Sequence, residues 1–161
     1  MPTDYIKQIR KIIGHDPLLG VGLGVLIFNE KEEILLEKRT DNGLYCLVGG
    51  GVDLGEKVVE GAKREIKEET GLDIEELHFM GVKSGEEQKL LYPNGDLTYY
   101  VDFYFHCHID SSKQTPKISD GESTELRFFA LDKLPPDEML LRGTKEPIER
   151  YIKGIKEPFL D

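Results

Sequence analysis

At 161 residues the chain has the length of one ordinary domain and can bury a core without help from disulfides. Its formal charge of −10 argues against DNA or RNA sliding over its surface, since counterion release needs clustered Lys and Arg. Hydrophobic residues make up 39%, yet no apolar run approaches the roughly 20 residues of a membrane-spanning helix, so a soluble protein with no membrane partner is expected.

The first sixteen residues, MPTDYIKQIRKIIGHD, scatter charges among isolated apolar residues instead of presenting the continuous block of a secretory signal, and no export is implied. Cys46 and Cys107 form neither a CxxC pair nor a disulfide scaffold, which fits a reducing cytoplasm. Residues 3–13 place Ile6, Ile9 and Ile13 at helical spacing, with Thr3 able to cap the start and Gly14 past the end. Residues 20–28 and 34–39 read as a hairpin of two strands around a polar turn. Residues 44–48 form another strand, the glycines Gly49, Gly50 and Gly51 a loop, and residues 57–70 a helix stopped by Gly71.

Further strands are expected at 77–83, 98–109 and 126–131, with a turn at Pro93, Asn94 and Gly95 and a polar loop over 110–123. Pro135 and Pro136 end the strand series, and residues 146–152 suit a last helix. The economical architecture is α/β, a mixed sheet with helices on its faces. Residues 1–19 are taken as a lead-in, 20–136 as the main body and 137–161 as a C-terminal helical segment of the same domain.

On a helical wheel over residues 57–70, Glu65, Glu68 and Glu69 fall within an arc of roughly 100°, beside the apolar stripe of Val58, Val59, Ala62 and Ile66. Neighbouring carboxylates repel, and a multivalent cation would remove that penalty. Hard ions such as Mg²⁺ and Mn²⁺ prefer such oxygen ligands, and bound ions would also let an acidic protein accept an anionic substrate. Spacing alone favours a solvated acidic helix face over a metal site.

Residues 50–72 read GGVDLGEKVVEGAKREIKEETGL, with Gly50, then Glu56, then Arg64-Glu65-Ile66-Lys67-Glu68-Glu69-Thr70-Gly71-Leu72. This stretch resembles the complete signature box of the Nudix hydrolases, with every defined position filled. The resemblance implies an α/β/α sandwich around a mixed sheet and Mg²⁺-dependent hydrolysis of a phosphoanhydride bond. It also implies that Glu68 and Glu69 ligate the metal, with Glu65 as a further ligand or a base and the Gly49 carbonyl as another ligand. Arg64 would orient the carboxylates, Glu56 would brace the loop through Arg64, and Gly50 and Gly71 would shape the box. A further acid from a later loop is expected from Glu122 or Glu125. Val48 stands where the family commonly has proline, which is expected to loosen the entry to the loop.

Several features are set aside. Gly20, Gly22 and Gly24 lie in a strand with no following helix, so close packing explains them better than a dinucleotide fingerprint. His106 and His108 share a strand face and could bind metal, but structural roles are expected because no acidic or Cys partner is expected beside them on that face. Of the aromatics between Tyr99 and Phe105, most should be core, with one face free to stack a base. Arg39 is the candidate phosphate contact.

The expected substrate is a small nucleotide: a nucleoside diphosphate linked to another group, ADP-ribose or another nucleotide-sugar first, with an oxidised nucleoside triphosphate as the alternative. A non-catalytic metabolite sensor is disfavoured by the intact carboxylate set. The N-terminal helix is compatible with a homodimer.

Overall fold

The structure, a computed structural model, describes residues 4–161. Helix α1 spans Tyr5–Ile13. The cap expected at Thr3 lies outside the described residues; Asp4 does that work, its carboxylate accepting the Lys7 N–H at 3.1 Å. Arg10 ties this helix to the body by donating to the Leu97 carbonyl at 2.7 Å and Thr98 Oγ1 at 2.9 Å.

Among the described residues the nine strands are β1 (Leu18–Phe28), β2 (Ile34–Arg39), β3 (Tyr45–Cys46), β4 (Val48–Gly51), β5 (His78–Lys83), β6 (Lys89–Leu91), β7 (Leu97–His108), β8 (Ser123–Phe129) and β9 (Phe159–Leu160). Helices α2 (Val58–Thr70) and α3 (Lys145–Ile152) complete the chain. The sheet is mixed, and β1 is its hub: parallel to β7 along its whole length, and antiparallel to β4 from Gly22↔Gly51 to Val25↔Val48.

Alternation along β1 builds both cores. Val25 and Ile27 pack with Leu35, Val48, Ala62, Ile66 and Phe105 under α2. Leu26 and Phe28 pack with Ile34, Leu36, Tyr104 and Ile148 on the side of α3. A strand covered on both faces has no need of polar alternation, which is why residues 25–28 are uniformly apolar and fully buried. The result is the three-layer α/β/α arrangement that the resemblance implied.

Two local differences from the sequence reading stand out. The glycine triplet is strand, not loop, because glycine lets β4 lie against β1: a Cβ on Gly49 would sit 1.9 Å from the Leu23 carbonyl oxygen. Strands β6 and β9, of three and two residues, are too short to show a period of two and take their place only through tertiary pairing with β7 and β5. Cys46 and Cys107 are free and buried.

Candidate active site

Helix α2 begins after the turn that carries Asp53 and Glu56 and ends on Gly71, whose left-handed φ of 74° closes it. Its inner stripe buries Ala62 and Ile66, which fixes the roll of the helix and turns Glu65 and Glu69 toward β4. Arg64 lies among the carboxylates. It donates to Glu56 at 2.7 and 3.0 Å, to Glu65 Oε1 at 2.9 Å, to Glu68 Oε2 at 3.1 Å and to the Gly51 carbonyl at 2.9 Å. Glu56 in turn accepts the Asp53 N–H at 3.0 Å. One guanidinium therefore joins loop, strand and helix.

Glycine is required where Glu65 meets β4, since a Cβ on Gly50 would lie 2.4 Å from the Glu65 carboxyl carbon. Burial pushes Glu65 up to about 7, against the opposing pull of Arg64, with the charges of Glu68 and Glu122 adding to the rise. Glu69 is only 6% exposed and accepts the Gly49 N–H at 3.0 Å. Its pKa is raised well above the ordinary carboxylate range, first by burial and then by the repulsion of Glu37 and Glu65.

The later loop contributes as well. Carboxylate oxygens of Glu69, Asp120 and Glu122 lie within 4.8 Å of one another. Glu125 is held elsewhere, accepting the Tyr45 hydroxyl at 2.6 Å. Arg39 lines the same cleft but is paired with Asp41 at 2.8 and 2.7 Å, with its guanidinium 5.9 Å from the Tyr92 ring centre.

Two acids escaped the sequence reading. Asp120 sat unremarked in the polar loop over 110–123, although its proximity to Glu122 was visible. Glu37 carried a clearer signal: it is two residues from the inward-facing Leu35, so strand parity puts it on the α2 side. It is buried, accepts from Ser123 Oγ at 2.9 Å and Cys46 Sγ at 3.3 Å, and burial raises its pKa. His108, expected to lack an acidic partner, has Glu32 at 2.5 Å; a separation of 76 positions in the chain hid the pair.

The crowd of Glu37, Glu65, Glu69, Asp120 and Glu122 around one cleft of about 1100 Å³ suits a divalent cation: the donors are all hard oxygens, and the buried Glu69 resists ionising without a compensating charge.

The NUDIX domain model matches residues 18–151. The chain belongs to the NUDIX family. Among curated NUDIX relatives, it is 26% identical over 141 residues to the NAD-capped RNA hydrolase NudC of Pseudomonas aeruginosa, covering 84% of this chain and 46% of that protein. It is 36% identical over 112 residues to the ADP-ribose pyrophosphatase of Methanocaldococcus jannaschii, covering 68% of this chain and 61% of that one. The chain thus spans about half the length of the curated relatives it matches. Of solved NUDIX structures, the MutT protein of Methanosarcina mazei superposes with a TM-score of 0.71 at 26% identity, over 88% of this chain and 99% of that one. The family matches leave the substrate open.

Proposed function

We propose that this protein hydrolyses the diphosphate of a nucleoside diphosphate linked to another group, nucleotide-sugars of the ADP-ribose type being the leading class. The observation that carries the reading is the buried, reluctantly ionising Glu69 beside Glu65 and facing Asp120 and Glu122. The ion is Mg²⁺, with Mn²⁺ able to replace it; when bound it neutralises phosphate oxygens and lowers the pKa of water at the site.

Glu68 and Glu69 would hold the ion from α2, with Asp120 and Glu122 facing them and the Gly49 carbonyl as a further ligand, while Glu65 beside them serves as the base. Arg64 keeps the α2 carboxylates aimed, because its five bonds fix Glu56, Glu65, Glu68 and the Gly51 carbonyl at once. Water adds its oxygen to phosphorus, the bridging P–O bond breaks, and the proton passes to Glu65 Oε2, the oxygen that Arg64 leaves free. An ionisation near 7 suits that transfer at neutral pH. Glu125, bonded to Tyr45, stays outside this set.

The test is a product-release screen with Mg²⁺ and with EDTA over ADP-ribose, other nucleotide-sugars, canonical and oxidised nucleoside triphosphates, and dinucleoside polyphosphates. Metal-dependent cleavage of the diphosphate-linked class is expected. No metal-dependent turnover on any compound sinks the reading.

A further inference from the structure

The cleft has a second half that the carboxylates do not use. On β7, Thr98, Tyr100, Asp102 and Tyr104 share one face, and in the parallel register β1 sets Leu18, Gly20, Gly22 and Gly24 beside them. The glycines make a trough. A Cβ on Gly22 would lie 2.0 Å from Asp102 Oδ1, and one on Gly24 would lie 2.9 Å from the Tyr104 ring. Asp102 therefore lies flat against the β1 backbone, in the wall of the cleft with Tyr100, Tyr104 and Arg142.

Its two oxygens are not equivalent. Gln88 Nε2 donates to Asp102 Oδ2 at 2.5 Å and to the Tyr104 hydroxyl at 3.2 Å, so two acceptors fix the amide. Among the described residues no protein donor reaches Oδ1. A partly buried carboxylate with one unpaired oxygen is costly in a folded core and useful in a binding site. Burial pushes this carboxyl up to about 6, leaving it ionised for the most part at neutral pH.

Strand pairing also sets its distance from the box. Gly22 pairs with Asp102 on one side and with Gly51 on the other, and the Gly51 carbonyl is held by Arg64. Two strand spacings, roughly 10 Å, separate Asp102 from β4, whose Gly51 carbonyl Arg64 holds. A base seated at Asp102 has its ribose and phosphates to span that gap. Tyr92 and Tyr100, joined through their hydroxyls at 2.5 Å, supply aromatic surface along the way.

We propose that Asp102, positioned by Gln88, is a specificity-determining residue that accepts a hydrogen bond from the amino group of the substrate's base and so selects amino-bearing bases over uracil. Uracil turns a carbonyl oxygen where cytosine turns an amino group, and two acceptors face to face repel. The inference relies on the hydrolase reading for the kind of ligand and not for turnover.

The experiment is calorimetric binding of ADP, CDP and UDP, with Mg²⁺, to the wild type, to Asp102→Asn and to Gln88→Met. CDP and UDP differ only in the base edge at issue. Wild type is expected to bind CDP at least about tenfold more tightly than UDP, the scale of one hydrogen bond to a charged group. Asp102→Asn should narrow that ratio to within about threefold, because an amide can offer N–H or C=O. Gln88→Met, which keeps the acid and removes its support, should narrow it in the same direction. Equal affinity of the wild type for CDP and UDP, no binding of any of the three, or a ratio unchanged in both variants overturns the proposal. A preserved ratio without hydrolysis in the product-release screen would count against the hydrolase reading alone, and hydrolysis without a ratio against this inference alone.

Discussion

The cleft joins two unlike halves. The acidic half is built mainly on one helix and the strand before it: residues 49–69 supply Gly49, Glu56, Arg64, Glu65, Glu68 and Glu69, with Glu37, Asp120 and Glu122 added from elsewhere; one guanidinium joins Glu56, Glu65, Glu68 and the Gly51 carbonyl, and the Gly49 N–H holds Glu69. The aromatic half is drawn from distant segments, with glycines from β1, Tyr92, four residues of β7 and Arg142 meeting only after the sheet forms. The first half is rigid by local bonding, and the second by strand register. Chemistry common to a family can sit in the first, while the second is free to vary with the compound it reads.

Variants can break this comparison. Glu69→Gln should leave folding largely intact, since the amide oxygen can still accept the Gly49 N–H, while turnover falls by at least about 10²-fold through loss of a metal ligand. An unchanged rate would move the metal site elsewhere. Gly22→Ala should act on the other half alone: the new methyl displaces Asp102, and KM is expected to rise about tenfold with kcat nearly retained. Steady-state kinetics would contradict the division if kcat dropped as far as in Glu69→Gln.

A smaller effect should appear in the metal-free protein as a function of pH. Glu65 ionises at about 7 when folded against an ordinary 4.5, so between those values the native state holds a proton that the unfolded chain has released. The contribution of Glu65 to stability therefore falls as pH rises through that window. Above it, added Mg²⁺ replaces the proton and raises the melting temperature. Thermal scans of the wild type and of Glu65→Gln from pH 4.5 to 8 with EDTA and with Mg²⁺ check both signs; a wild-type melting temperature that does not fall relative to the variant's as pH rises in EDTA would refute the burial of this carboxyl. Least of all, Glu125→Gln should change turnover by no more than about twofold, because its carboxylate serves the Tyr45 hydroxyl. A large loss would restore it as a ligand.

The contrast also explains what could be read before the fold was known. Arg64, Glu65, Glu68 and Glu69 lie on adjacent turns of one helix, so spacing and the box place them with no tertiary information. Glu122 and Glu125 were indistinguishable in sequence, because only the pairing of Lys38 with Glu125 and the turn before β8 decide which one meets Glu69. Asp102 looked like one polar residue in an aromatic strand. Its significance depends on Gly22 lying opposite, and parallel register between strands some 80 residues apart cannot be inferred from either alone. The glycines at 20, 22 and 24 were correctly assigned to close packing, yet what they pack against was invisible.

The central claim is that the carboxylates of α2 and the loop before β8 form one divalent-cation site organised around Glu69. Titration of Mn²⁺ into the substrate-free protein, followed by electron paramagnetic resonance, tests it most directly when wild type and Glu69→Gln are compared. The account predicts saturable binding in the wild type, weakened at least about tenfold in the variant. Equal binding by the two proteins would contradict it.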